Sequence, residues 1–175
     1  ESPVLYPQFS KAGTPMVVDA MTEMGIFSIK NWSATGTQNM VPSLGREAQD
    51  QAITSRVHCH DCPVGCSQVK LVTSGTYAGY LSEGPEFETT YSLGSTCGID
   101  YLPAVIAADR VCDEYGIDTI SAGVTVGWAM ELYEKGILTK KDTDGIELTW
   151  GNHAALMEIL RKISYQEGIG ALLSL

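Results

Sequence analysis

A short pattern that ends in Gly-Ile recurs along this chain, and it constrains the fold more than any other feature. A glycine directly after a helix adopts the left-handed conformation that a Cβ atom would penalise, and the next apolar residue packs back onto the last turn. Repeated helix ends of this kind predict a mainly α, multihelical fold. The pattern occurs at residues 23–26, 114–117, 134–137 and 166–169.

The segments before these stops predict five helices, arranged as a single helical domain over residues 1–175. The first half of the fourth helix is almost uncharged and rich in small residues, so we expect it to be buried and to allow close approach by another backbone or a flat ligand. Alternating and β-branched residues at 68–72 and 76–81 predict a small β-hairpin. The predicted helices cover residues 14–24, 43–56, 101–115 (capped by Asp100), 118–135 and 152–167.

Charge and composition exclude some classes of function. Hydrophobic residues make up 44 % of the 175 residues, which is enough for a real core. The formal net charge of −10 disfavours nucleic acid and anionic membrane surfaces as partners. No apolar run reaches the roughly 20 residues that span a bilayer. Five cysteines, an odd number, do not suggest a disulfide framework, so we expect a reducing, cytoplasmic compartment.

Three cysteines, Cys59, Cys62 and Cys66, stand in one run with two and three residues between them. Structural zinc usually takes four ligands in two separated pairs, and His58 and His60 are poorly placed to join Cys59 as ligands. A compact run of three thiols with a distant fourth ligand is typical of a four-iron cluster. The run therefore predicts an iron–sulfur cluster, with zinc or unliganded thiols as the alternatives.

The fourth cluster ligand is not evident in the sequence. Cys97 and Cys112 stand singly in apolar surroundings, which is typical of buried core cysteines. We therefore expect the fourth ligand to lie outside this chain. The apolar end of the chain, residues 171–175, also leads us to expect a piece of a longer protein.

Three carboxylates, Glu83, Glu86 and Glu88, follow the hairpin in a Gly-Pro context. They are candidates for a general acid or base near the cysteine run. Alternatively they mark the first turn of a helix, where acidic residues favour the dipole and Pro85 is tolerated. Both interpretations hold if the first turn of that helix faces a cavity.

A second acidic motif, Asp113-x-x-Gly116-Ile117-Asp118, joins the third and fourth helices. Asp118 is predicted to cap the fourth helix. Alternatively, two carboxylates and the amides around a glycine turn bind a flat, amide-like heterocycle. The spacing alone favours capping.

Taken in order, the motifs resemble the aldehyde:ferredoxin oxidoreductase family of tungsten enzymes. The resemblance implies a tungsten (or molybdenum) held by two pterin dithiolenes, with a four-iron cluster close by. It also implies an aldehyde oxidised to a carboxylic acid, or another small acyl substrate, and ferredoxin as electron acceptor. The segments that carry it are Cys59-x2-Cys62-x3-Cys66, residues 83–88, 93–100, 113–118, 151–152 and 163–170.

The resemblance also assigns roles to residues. Cys59, Cys62 and Cys66 match three cluster ligands. Glu88, and next Glu86, match a glutamate beside the tungsten. The segment formed by Asp113, Gly116, Ile117 and Asp118 matches a pterin-contacting motif, with isoleucine where the family has leucine.

The family's N-terminal β domain and its second pterin motif have no counterpart here, so we expect the central helical region of such an enzyme. Homo-oligomerisation stays open at this point. Two alternatives remain. One is a relative that reduces an aromatic acyl-CoA, and the other is a non-catalytic metal-binding or electron-transfer module.

Overall fold

Helices form most of the regular structure in the computed structural model, which describes residues 5–34 and 39–175. The mainly α prediction is therefore confirmed. The predicted domain over 1–175 includes residues 1–4 and 35–38, which lie outside the described residues. None of the helices within the described ranges has both the length and the apolar character that a membrane crossing requires. The helices are α1 (Leu5–Ala12), α2 (Met16–Glu23), α3 (Val41–Leu44), α4 (Arg46–Asp50), α5 (Phe87–Thr89), α6 (Leu102–Tyr115), α7 (Thr119–Glu134), α8 (His153–Tyr165) and α9 (Ile169–Leu173).

A small antiparallel sheet of order β1-β2-β3 packs beside the helices. The predicted hairpin is confirmed, but its second strand lies at residues 81–83 instead of 76–81, and residues 72–80 form a longer connection. The strands are β1 (Ile53–Val57), β2 (Ser67–Leu71) and β3 (Leu81–Glu83).

The helix predicted over 43–56 is wrong in its second half. It divides at Gly45, whose backbone is extended, and Asp19 on α2 accepts a hydrogen bond from the Arg46 amide at 2.9 Å at the start of α4. Strand β1 then takes the β-branched residues after Ala52 and pairs with β2. Asp19 on α2 fixes the start of α4, and pairing with β2 fixes the strand β1. Neither partner can be recognised from the local sequence.

Two long helices carry the predicted core faces. Leu102, Val105, Ile106 and Val111 of α6 are buried, as are Leu156, Ile159, Leu160 and Ile163 of α8. Asp118 and Asn152 cap α7 and α8, accepting hydrogen bonds from Ser121 N at 2.7 Å and Ala155 N at 3.1 Å. Asp100, by contrast, is not a cap, because α6 begins after Tyr101 without a side-chain cap.

Three of the four predicted helix stops are confirmed, at Gly25, Gly116 and Gly136. Each glycine has a positive φ, and its amide donates a hydrogen bond to the last turn of the helix. The fourth is wrong. Helix α8 ends earlier, with Gln166 in the left-handed conformation, and Gly168 precedes α9 instead. The expected packing of the following isoleucine also fails at Ile26 and Ile137, which are exposed.

Helix α7 packs directly on the backbone of the segment before α6, which forms a π-helix (Thr90–Gly94) and a 3₁₀ turn (Ser95–Cys97). A Cβ atom added at Gly123 would lie 2.4 Å from the Ser92 carbonyl carbon, and one at Gly127 would lie 2.8 Å from Thr96 Cγ2. The small residues therefore admit another backbone, as predicted. The prediction of burial on all sides is wrong within the described residues, because Ile120, Val124 and Trp128 are exposed.

We expect Gly123→Ala to lower the free energy of unfolding by about 2 kcal/mol, because the added methyl group overlaps the Ser92 backbone. This loss should appear even though alanine favours helix over glycine. Urea denaturation measures it. Val124→Ala, on the exposed face of the same helix, is the matched control and should change stability little. Equal midpoints for Gly123→Ala and the wild type would contradict the close approach.

Candidate functional site

The cysteine loop joins β1 to β2 and is shaped by its own side chains. The His58 ring covers Gly65, where an added Cβ would lie 2.3 Å from the ring carbon Cε1, and His58 Nδ1 lies 3.1 Å from the Cys62 carbonyl oxygen. His60 is exposed and pairs with Asp61 at 3.2 Å. His58 therefore takes part in the packing of the loop. Among the thiols, Cys59 is exposed, and Cys62 and Cys66 are half-buried.

The N-terminal helix and the turn after it support this loop from behind. Tyr6 on α1 donates a hydrogen bond to the Pro63 carbonyl at 3.1 Å. Gly13 approaches the end of the loop so closely that a Cβ atom there would lie 2.6 Å from the Cys66 carbonyl oxygen. Loop position therefore depends on residues about fifty positions earlier in the chain.

The donor set of the loop is three thiols in one run. Within the described residues, no three His, Cys, Asp or Glu side chains form a group that could hold one metal ion. Thiolates are the ligands that iron–sulfur clusters take from a protein, so the residue types of the loop are compatible with such a cluster.

Cys97 and Cys112 lie in the core, as predicted. The Cys97 thiol contacts the carbonyl oxygens of Ser92 at 3.5 Å and Gly123 at 3.4 Å. Burial raises the pKa of each thiol, Cys97 and Cys112, to about 12. Both thiols are therefore held protonated inside the protein, and neither is offered to a cluster at the loop.

The carboxylate segment lies next to the cysteine loop. Thr14, in the turn between α1 and α2, donates a hydrogen bond to the Glu86 carboxylate and accepts one from Phe87 N at 2.9 Å. Burial, and next the negative charge of Glu86, raises the pKa of the Cys66 thiol, so Glu86 lies within electrostatic range of the loop.

The other two carboxylates of the segment differ from Glu86. Glu83 accepts a hydrogen bond from Ser67 at 2.9 Å. Glu88 is exposed in the first turn of α5, the short helix that follows Pro85. Glu83 is exposed as well, but its carboxylate is engaged by Ser67.

The second acidic motif forms the turn between α6 and α7. Gly116 is left-handed, and its amide and that of Ile117 donate to the carbonyls of Asp113 at 3.2 Å and Cys112 at 3.0 Å. Those two amides therefore form the hydrogen bonds that close the end of α6. The hydrogen bond from Ser121 lowers the pKa of the Asp118 carboxyl group. What the turn offers to a ligand is the carboxylates of Asp113 and Asp118, both exposed.

A hydrogen bond joins the two acidic motifs. Thr89 Oγ1 at the end of α5 lies 2.8 Å from Thr119 Oγ1 at the start of α7, the residue after Asp118. Ser92 Oγ also donates to the Thr119 carbonyl oxygen at 3.2 Å. The fold thus brings the carboxylate segment against the cysteine loop on one side and against the 113–118 turn on the other.

Sequence reasoning missed a buried charged layer between the sheet and α6. Lys70 has no exposed surface, and its ammonium group donates to the Pro85 carbonyl at 3.1 Å. Asp109 is 6 % exposed and accepts a hydrogen bond from Ser82 at 2.6 Å. Burial lowers the pKa of Lys70 to about 8 and raises that of Asp109 to about 6. The alternation of residues in β2 was the sequence signal for this layer. The buried side chains of that strand are the polar ones, Gln68 and Lys70.

An open cleft of about 830 Å³ lies elsewhere, between α2, α3, α4 and the start of α6. Three carboxylates, those of Asp19, Glu47 and Asp100, are on its wall. None of the site residues predicted from the sequence lines it. The cleft is therefore separate from the candidate site.

Comparison with known proteins identifies the family. The family description "Aldehyde ferredoxin oxidoreductase, domains 2 & 3" matches residues 1–175. The chain is 36 % identical over 170 residues to a tungsten-containing aldehyde ferredoxin oxidoreductase of Thermococcus kodakarensis, and 35 % identical over 170 residues to one of Pyrococcus furiosus. Both matches cover 96 % of this chain and 27 % of the relative. The chain belongs to the aldehyde ferredoxin oxidoreductase family and spans about a quarter of the length of these relatives.

Two further similarities show the breadth of this group. An "aliphatic sulfonate oxidoreductase, WOR-like subunit" of Pyrococcus furiosus is 37 % identical over 115 residues, covering 66 % of this chain and 18 % of that protein. The solved active-site complex BamBC of benzoyl coenzyme A reductase, with 1,5-dienoyl-CoA, superposes with a TM-score of 0.68. At 24 % identity, covering 91 % of this chain and 24 % of that one, this likeness shows the shared fold.

We expect Asp109 to make stability depend on pH. The pKa of its carboxyl group rises from 3.8 to about 6 on folding, so the stabilisation is present below about pH 4 and is lost as the pH rises through 6. This group should account for a loss of about 3 kcal/mol between pH 4 and 7. Asp109→Asn keeps an acceptor for Ser82 and should remove this loss in urea denaturation at several pH values.

Glu134→Gln, which removes an exposed carboxylate from α7, is the matched control and should follow the wild-type pH curve. If Asp109→Asn follows that curve as well, Asp109 does not titrate as described.

Proposed function

We propose that this chain is the part of a tungsten-pterin, iron–sulfur oxidoreductase that holds the iron–sulfur cluster beside the tungsten site. The enzyme would oxidise aldehydes to carboxylic acids and pass the electrons to ferredoxin in the cytoplasm. One observation carries the proposal: the cysteine loop, the carboxylate segment and the 113–118 turn meet through the Gly13–Thr14 turn and the Thr89–Thr119 hydrogen bond. The tungsten-containing relatives support it.

Cys59, Cys62 and Cys66 would be three ligands of a four-iron cluster, with the fourth from outside this chain. A metal binds the thiolate and displaces its proton. Since burial and Glu86 raise the pKa of the Cys66 thiol, that thiol stays protonated until metal binds. When bound, the tungsten pterin supplies the two-electron chemistry and the cluster carries electrons singly toward ferredoxin.

Glu88 would hold or release the proton at the reacting carbonyl group, because its carboxylate is exposed on α5. Glu86 is engaged by Thr14 and comes second. Asp113 and Asp118 would accept hydrogen bonds from one pterin. Gly116 and Ile117 would hold those two carboxylates on the short turn between α6 and α7, since their own amides close the helix end.

Reduction of an aromatic acyl-CoA is the second candidate, because the fold also matches the benzoyl coenzyme A reductase complex. The same three cysteines and the same carboxylates would serve that reaction, with a different pocket. Parallel assays of the purified protein with aldehydes and with aromatic acyl-CoA distinguish the two functions.

Metal and sulfide analysis of the full-length parent protein, purified without oxygen, tests the cluster. We expect about four iron atoms and one tungsten or molybdenum per chain. Cys62→Ser should lose most of the iron because it removes a ligand. Cys112→Ser, which changes a core thiol, is the control and should keep the iron. Zinc without sulfide or tungsten would instead support a structural metal module.

We expect Glu88→Gln to lower kcat by about 10²–10⁴-fold, the usual contribution of a positioned acid or base. The iron and tungsten contents should stay at wild-type values. Glu83→Gln, whose carboxylate is bonded to Ser67, is the matched control and should keep most of the activity. Wild-type kcat in Glu88→Gln would remove Glu88 from the reaction and direct attention to Glu86.

A further inference from the structure

Lys70 is an unusual residue to find in a protein interior. Lysine is almost never fully buried, because its ammonium group loses water and must find partners inside. Lys70, near the end of β2, nevertheless has no exposed surface, and it donates to the Pro85 carbonyl at 3.1 Å. A methionine of similar length would fill the same space without the desolvation cost. The charge therefore needs an explanation other than packing.

The surroundings keep this ammonium group charged at neutral pH. Burial lowers the pKa of Lys70 to about 8, while the carboxylates of Glu86, Asp109 and Asp50 oppose that effect and Arg56 adds to it. These groups come from the carboxylate segment, α6, α4 and β1. Lys70 is thus a buried cation within electrostatic range of carboxylates from three separate elements.

Lys70 connects the two parts of the candidate site through the backbone. Strand β2 begins directly after Cys66, so Lys70 is fixed to the end of the cysteine loop. Its acceptor, the Pro85 carbonyl, directly precedes Glu86. This hydrogen bond therefore links the two parts across the buried layer, in addition to the Ser67–Glu83 and Gly84–Gln68 hydrogen bonds at the edge of the sheet.

A second set of polar contacts holds the far end of the same segment. Gln49 Nε2 donates to Thr90 Oγ1 at 3.1 Å, and Thr90 Oγ1 donates to the Glu86 carbonyl at 2.8 Å. With the Thr14 contact, Glu86 is held at its backbone and at its carboxylate. Lys70 supplies a further contact, at the residue before Glu86.

We propose that Lys70 is a positioning residue: its ammonium group fixes the Pro85 carbonyl and so holds Glu86 and Glu88 at a set position beside the cysteine loop. The catalytic consequence rests on the function proposed above. The positioning itself does not, and it is tested without any cofactor-dependent signal.

Hydrogen exchange of the purified protein tests the positioning directly. Lys70→Met removes the charge and the donor while keeping the length of the side chain. We expect amides of residues 84–90 to exchange about tenfold faster or more, while amides of α7 and α8 keep wild-type rates. Lys70→Arg keeps the charge and should restore part of the protection. Lys140→Met, which removes an exposed lysine paired with Glu147 at 2.7 Å, is the control and should leave residues 84–90 unchanged.

The reaction provides the second readout. Misplacement of a catalytic group by about 1 Å costs up to 10²-fold in rate, so kcat of Lys70→Met should fall by tenfold or more. KM and the metal content should stay near wild-type values. A wild-type protein without tungsten would refute the proposed function, whereas the exchange experiment would still decide the role of Lys70.

Three results would overturn the inference. The first is wild-type exchange over residues 84–90 in Lys70→Met. The second is faster exchange throughout α7 and α8, since Lys70 would then support the fold in general. The third is that neither Lys70→Met nor Lys70→Gln folds, because Lys70 would then also support the fold in general.

Discussion

The direct contact between α7 and the backbone of residues 90–97 sets the geometry of the rest of the molecule. It exists because Gly123 and Gly127 present no Cβ atom to Ser92 and Thr96. With the helix at that distance, Thr119 reaches Thr89, and the turn that precedes α7 is placed against the carboxylate segment. A bulkier helix face would separate the two acidic motifs, although each motif would keep its own local structure.

The interior between the sheet and α6 follows a different principle. Here charged groups are buried, and two of them have hydrogen-bond partners: Lys70 donates to the Pro85 carbonyl, and Asp109 accepts from Ser82. Such a layer stabilises less than an apolar one, but its hydrogen bonds have direction and therefore fix relative positions. The apolar core around α6 and α8 provides the stability, and the polar layer provides the alignment of the segments near the cysteine loop.

The features that the sequence predicted correctly are those with local causes. Periodicity located the buried faces of α6 and α8, and cap chemistry located Asp118 at the start of α7. The features it missed depend on distant partners. The Arg46 amide is bonded to Asp19 on α2, the strand β1 needs β2, and the polar side chains of β2 are buried by the elements that pack on it. The spacing of the cysteines predicted a cluster, and the family resemblance assigned roles to individual carboxylates, while the proximity of these groups required the fold.

The turn between α1 and α2 supports both sides of the candidate site. Gly13, with φ of +64°, lies against the Cys66 carbonyl, and the next residue, Thr14, binds the Glu86 carboxylate and the Phe87 amide. The consequence concerns protein engineering. The cysteine loop is not a portable module: a graft of residues 58–66 onto another scaffold would leave behind the turn that shapes its end and orients the neighbouring acid. Any transplant has to carry residues 12–14 as well, although they are distant in the chain.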